Sequence, residues 1–524
     1  MNKALVPFHF LLFAYLCAAG VRYHQYLEIK TSPDYRAGTE IILTNHDGYR
    51  WLRFAKGEYS GTGDDLSAAL KPPYRPLISV MLSKIDPGLM SVFVPGLFIF
   101  PLGIFFMLAG FPAAGVGAGL AGSLAFAYLG RTSAYQIDTD MLNLFFVSLG
   151  ALLLLLAERG RSVLWSAALG LSMYLFWRWY FHSGFTVVYF ALLLYALRHR
   201  GGRVIFASAA VYILCASPFV FANGFRGLFE FAVPAAAVRS DVSELAVYGF
   251  SGTLRTLNPF WWLALAGTVL SLFTGRRGVY LSVFYALGVL AFFKGNRFAM
   301  YLAPMYGAGL GIASDYILRR RGGALAQALT VFLVMFSSRG YFRFIPPPVV
   351  SPGTYGLINK INNTENNSVA AVLWDYGFLT EYLAGRSSIA DGASQYRQGA
   401  KLYAQALFQT DSVKSAEMLN EAASDRPVYL VLTPDMDAKL GSLIKTAGLR
   451  AVWTGGDDST AVSLVSIDNT DDENAVRLTE TVYFRLHVIG LADIPCFKMY
   501  ARSGEASAVY SVGESCIKTA DKTP

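Results

Sequence analysis

Long apolar runs separated by short polar breaks fill the first 340 residues of the chain, and beyond residue 350 the pattern changes to short mixed runs. Crossing the hydrocarbon core of a bilayer takes roughly 17 to 25 apolar residues in a helix. About 11 runs meet or approach that length: 4–21, 91–110, 112–130, 141–157, 163–178, 184–197, 203–221, 259–274, 279–293, 298–316 and 324–338. The first, MNKALVPFHFLLFAYLCAAG, runs directly into VRYHQYLEIK with further spans downstream, so it reads as an anchor rather than a leader. The pattern predicts a polytopic α-helical membrane domain over 1–340. A C-terminal mixed α/β soluble domain over 341–524 follows, with the boundary near IPPPVVSPG. Within the tail, PVYLVLTP (427–434) reads as a buried strand and DSVKSAEMLNEAASD as a helix.

Composition agrees: 54% of residues are hydrophobic, 15% are charged, and the mean hydropathy is +0.40, too apolar for one soluble domain. Basic residues cluster in ERGR (158–161), RHRGGR (198–203), GRR (275–277) and LRRRG (318–322), each an even number of spans from the others. Basic loops stay cytoplasmic, so the long loops 22–90 and 222–258, and the whole tail, are expected on the outer, extracytoplasmic side. The net charge of +8 is thereby explained by cytoplasmic loops and points to no nucleic-acid partner. Cys496 and Cys516 both lie in the exported tail, where an oxidising compartment would allow a disulfide. No CxxC, HExxH or Walker pattern occurs, and six scattered histidines form no zinc constellation.

Carboxylates at the membrane surface are site candidates because they need pairing, hydration or a cation. Asp47 in TNHDGYR, Asp138 and Asp140 in YQIDTDMLN, and Glu244 in SDVSELAVYGF all fall on the outer side, as does the tail motif VLWDYGF. Residues i and i+2 on extended backbone point the same way, so Asp138 and Asp140 can face one hard divalent cation; equally, they can cap the helix that begins beside them. Arg297 in FKGNRFAMY reads either as an interfacial anchor or as a phosphate ligand, and the cluster WRWYFH (177–182) as an aromatic belt or a sugar platform.

Taken together, DGY (47–49), DTDML (138–142), VSE (242–244), NRF (296–298) and WDYG (374–377) resemble, in order, the motifs of a known family. It is the catalytic subunit of oligosaccharyltransferase, of the single-subunit bacterial and archaeal PglB-like type, a C-superfamily membrane glycosyltransferase. The resemblance spans nearly the whole chain, raises the expected count to about 11–13 transmembrane helices, and implies a single-subunit enzyme. Its activity would be the transfer of a glycan en bloc from a polyprenyl-(pyro)phosphate carrier to the asparagine of an Asn-x-Ser/Thr sequon. A lipid-linked oligosaccharide, acceptor proteins and membrane lipid are the implied partners.

The resemblance implies a Mn²⁺ or Mg²⁺ site at Asp47, Asp138 and Asp140, and an acceptor amide held by Asp47 with Glu244. It assigns Arg297 to the lipid phosphate, and Trp374, Asp375, Tyr376 and Met436 to sequon recognition. The sequence departs from the family where Leu373 replaces the first tryptophan of WWDYG, where Lys439 follows Met436, and where Gly249 stands in place of an arginine. That arginine is thought to demand an acidic residue two positions before the asparagine, so relaxed demand is expected here. The competing readings are another C-superfamily enzyme using polyprenyl-phosphate sugars, and a transporter. A transporter would be expected to carry charges near the bilayer midplane.

Overall fold

The computed structural model describes residues 5–57, 75–232, 247–318, 323–392, 398–453, 462–466, 476–504 and 507–513. Its contacts divide the chain into two units: Met1–Thr31 with Pro76–Pro347, and Ser32–Arg75 with Pro348–Pro524. The second therefore includes part of what the sequence pattern reads as the first outer loop.

In the first unit every apolar run named above falls on helical structure, beginning with the 27-residue helix Leu5–Thr31. Proline and glycine punctuate several of them: Pro112 opens a helix that closes at Leu124, just after Gly110 adopts a left-handed conformation at the end of Ile99–Ala109. By length and composition, 3 helices among the described residues can cross a membrane: Pro87–Ala109, Asp140–Arg159 and Gly323–Tyr341. Counting two sharply bent pairs, Gly202–Ala216 with Pro218–Leu228 and Gly249–Leu257 with Trp261–Phe292, raises the number to 5.

The centre of this unit is a seam of small residues. Helix Pro112–Leu124 (PAAGVGAGLAGSL) lies against Leu302–Ile317 so closely that a methyl group on Gly117 would sit 2.2 Å from the Gly307 carbonyl oxygen. One on Gly311 would sit 2.3 Å from the Ala113 carbonyl oxygen. Apolar burial drives little helix association inside lipid, so close backbone contact of this kind takes its place. Polar ties then fix the first helix. The buried Arg22 donates from Nε to the Thr132 carbonyl (2.8 Å) and from Nη2 to Thr132 Oγ1 (2.6 Å). Gln25 donates to the Phe344 carbonyl at 2.8 Å. These bonds satisfy polar groups that are otherwise costly to bury.

The second unit is built on a sheet whose strand order, among the described residues, is Ser387–Ser388, Val369–Ala371, Val428–Leu432, Ser507–Val512, Phe497–Ser503 and Asp493–Ile494. Val428–Leu432 is the strand expected from PVYLVLTP, and all five residues are buried. The expected helix appears as Ser412–Ala422, capped by Asp411, whose carboxylate accepts from Val413 N at 2.8 Å. The first three strands of the order run parallel. In open α/β sheets the crevice beyond the carboxyl ends of such strands is the usual place for ligands.

Candidate functional site

Each of those three parallel strands leads, at its carboxyl end, to candidate residues or their close neighbours. Val369–Ala371 leads into helix Trp374–Ala384, which begins with WDYG. Val428–Leu432 leads into the short turn Asp435–Ala438, which carries Met436. Ser387–Ser388 leads to Asp391 and Gly392. The glycine of WDYG has a steric reason here: a methyl group on Gly377 would lie 2.3 Å from the Ala390 carbonyl oxygen and 2.6 Å from Asp391 Cα.

The DGY motif opens another helix of the same unit, Asp47–Ala55, with Asp47 exposed in its first turn. This helix lies along the WDYG helix. Arg53 pairs with Glu381 at 2.6 Å, both buried, and Ser388 Oγ donates to the other Glu381 oxygen at 2.6 Å. The Arg50 guanidinium lies 5.3 Å from the Phe378 ring, and Tyr49 and Tyr382 have centroids 5.5 Å apart. At its open end, Asp47 Oδ1 would be 3.1 Å from a methyl group on Gly392. Asp47 and WDYG, more than three hundred residues apart in sequence, thus start two packed helices whose N-termini favour negative charge.

Two clamps join WDYG to the Asp435 turn. The Tyr376 hydroxyl donates to Asp435 Oδ2 at 2.5 Å, and the Lys439 ammonium pairs with the Asp375 carboxylate. Burial, then the Asp435 charge, pushes the Tyr376 phenol upward, and burial lowers Lys439. Trp374 is 5% exposed and Met436 fully buried, with its sulfur 3.9 Å from the Tyr403 hydroxyl. The side chain of this turn that reaches Asp375 is Lys439 rather than Met436. Asp437 fastens the turn from behind, accepting from the Tyr483 hydroxyl at 2.6 Å and lying 3.3 Å from His487 Nε2.

His46 was not among the residues singled out from sequence. Its ring meets that of Tyr376 edge-on, with centroids 4.9 Å apart and an interplanar angle of 66°. Its Nδ1 is buried without a hydrogen-bond partner. Burial, and secondarily the positive charge of Lys439, pushes His46 down to about 3, so the ring is neutral at physiological pH.

The first unit holds the DxD residues. Asp140 is buried, pairs with Arg131 and accepts from Asn143 Nδ2 at 2.8 Å. Asp138 lies 3.9 Å from the same guanidinium and accepts from Thr139 N at 2.6 Å. Trp179, from the expected aromatic belt, is fully buried and donates its indole N–H to the Thr139 carbonyl at 2.5 Å, so this tryptophan secures the DxD turn. Arg297 belongs to the same group: Tyr180 is in electrostatic reach of Arg297, Asp140, Asp138 and Arg131 together. Both carboxylates lean on one cation, Arg131, and are hard oxygen donors of the kind that suits Mg²⁺ or Mn²⁺. Within the described residues no group of three His, Cys, Asp or Glu side chains is arranged to hold a metal. Glu244 and Cys516 lie outside the described residues.

No family model and no curated protein matches the chain. Comparison with solved structures defines the fold as that of an oligosaccharyltransferase. The archaeal oligosaccharyltransferase AglB from Archaeoglobus fulgidus, in complex with an inhibitory peptide and a dolichol-phosphate, superposes with TM-score 0.64 at 14% identity, covering 99% of this chain and 81% of that one. The apo form of the A. fulgidus enzyme gives TM-score 0.64 at 13% identity with the same coverage. The form tethered to an acceptor peptide containing the NVT sequon gives 0.62 at 13% identity, covering 95% of this chain and 79% of that one.

Proposed function

We propose that this chain is an oligosaccharyltransferase that moves a glycan from a polyprenyl-(pyro)phosphate carrier to the asparagine amide of Asn-x-Ser/Thr sequons. The observation that carries this reading is the packing of the Asp47 helix against the WDYG helix. It supports a reading in which Asp47 meets the amide and the start of the WDYG helix meets the hydroxyl, in a chain with an oligosaccharyltransferase fold. The proposed setting is a membrane domain of about 11–13 spans over residues 1–340, with the soluble domain after it, acting as a single subunit at the outer face of an inner membrane.

An amide nitrogen is a poor nucleophile because its lone pair is conjugated with the carbonyl. Asp47, with Glu244, would accept the amide N–H bonds and favour a form with less conjugation. The new C–N bond then forms at the sugar's anomeric carbon as the C–O bond to phosphate breaks, and the amide proton passes to a carboxylate. Arg297, a planar guanidinium, would bind the departing phosphate. Asp375 and Lys439 would read the sequon hydroxyl, and Leu373 in place of a tryptophan gives that pocket an aliphatic wall. Asp138 and Asp140, with Asp47 as the resemblance implies, would hold Mn²⁺ or Mg²⁺, which when bound supplies positive charge toward the leaving phosphate. A form of the A. fulgidus enzyme was solved as a complex with Zn and sulfate, which supports a divalent ion here.

The test combines purified protein, lipid-linked oligosaccharide, Mn²⁺ and a fluorescent sequon peptide, read as a gel shift. Transfer abolished by chelator and by Asn→Gln in the peptide is the expected result. No shift at any metal concentration, with intact protein and a suitable donor, overturns the reading. Gly249 predicts that DQNAT-like peptides keep their activity when the leading Asp becomes Ala.

A further inference from the structure

Where the Asp47 helix meets the start of the WDYG helix lies a polar group that the proposed mechanism does not use. His46 sits directly before Asp47 and meets Tyr376, the neighbour of Asp375, edge-on. Its Nδ1 is covered with nothing to bond, while the residue as a whole is half-buried, so that a turn of the ring presents this nitrogen to an incoming segment. A buried ring nitrogen left without a partner is unfavourable, so its place beside an exposed carboxylate points to a ligand that completes it. The ring meets Tyr376 edge-on and feels the charge of Lys439, and a neutral imidazole offers one donor and one acceptor.

The position of His46 also says which part of a ligand it meets. In an extended sequon the asparagine and the hydroxyl residue are two apart, so their side chains leave on the same face and the middle side chain on the other. If Asp47 takes the first and Asp375 the second, a group placed between them faces main chain. We propose that His46 is a specificity-determining residue of the acceptor site, whose free ring nitrogen hydrogen-bonds the backbone of the middle sequon residue. This rests on the acceptor-site reading given above. It explains how a pocket could accept any middle side chain and still hold the segment, because the contact made there is common to all sequences.

The experiment measures KM and kcat of the full-length protein for Asn-x-Ser and Asn-x-Thr peptides with His46→Phe and His46→Asn, and repeats it with peptides whose middle amide is replaced by an ester. His46→Phe keeps a ring against Tyr376 without polar atoms; His46→Asn keeps a polar head. The expected result is a rise in KM of about tenfold for both peptides in His46→Phe, the size set by one lost hydrogen bond. Little change in kcat should accompany it, with partial recovery in His46→Asn. The ester should weaken the wild type but add no further penalty to His46→Phe.

Unchanged KM in His46→Phe, or an ester penalty that adds fully to that of the variant, overturns the inference while leaving the transferase reading intact. So does a shifted Mn²⁺ midpoint with unchanged peptide KM, which would make His46 a metal ligand. A wild type that transfers nothing to either peptide overturns both.

Discussion

The two units hold the carboxylates proposed for the site in opposite ways. In the first unit the DxD pair is met by near neighbours in sequence, Arg131, Thr139 and Asn143, and Trp179 ties the turn down from farther along the chain. In the second, the contacts that fasten the segments carrying Asp47 and Asp375 bridge residues far apart in the chain, as Arg53 to Glu381, Tyr376 to Asp435 and Lys439 to Asp375 do. A locally built site depends on the charges themselves. One assembled from afar depends on the scaffold that brings them together, and it fails when the scaffold loosens.

That contrast can be broken by substitution. The largest effect is expected at the local site: Asp140→Asn should lower kcat by roughly 10²–10³-fold, with Asp138 still beside Arg131 as a counter-charge and a melting curve confirming that the protein folds, and unaltered turnover would refute a role for this carboxylate in transfer. Next comes Arg53→Met, which leaves the Glu381 charge buried and uncompensated and should cost about 3–5 kcal/mol of stability, measured by chemical denaturation. Adding Glu381→Leu should recover most of it; a double variant no better than the single one would show that packing, not charge, is what Arg53 contributes.

Smaller again is Lys439→Met, expected to raise peptide KM about tenfold in the transfer assay while leaving the denaturation midpoint nearly unmoved. A midpoint shift with normal KM would make the ion pair a structural fastener.

The smallest is a pH effect behind the Asp435 turn. Burial lowers His487 below its ordinary value, and Asp437 only partly opposes this. The unfolded chain therefore takes up that proton more readily than the folded one, so stability is full above the ordinary histidine range and falls as pH drops through it. Melting temperatures from pH 7.5 to 5.5 should decline more in the wild type than in His487→Gln, and parallel curves would remove His487 from the account.

Much of this was legible in the sequence, and the reason differs by region. Apolar periodicity located the helical runs and the Val428–Leu432 strand because burial writes itself into residue type directly. The DxD turn was visible because its parts are adjacent. Lys439 as the partner of Asp375, and His46 against Tyr376, were not, since strand order decides which loops meet and no local pattern encodes it. Trp179 looked like a belt residue because an aromatic at a helix end has the same signature whether it faces lipid or a buried carbonyl.

The glycine seam of the first unit carries a further consequence for motion. Where backbones already touch at Gly117 and Gly307 and at Gly311 and Ala113, there are no side chains to change rotamer and no layer to shear across. Helices Pro112–Leu124 and Leu302–Ile317 must therefore travel as one piece. Any opening and closing during a catalytic cycle has to be taken up by other parts of this unit, with the seam as its stationary frame.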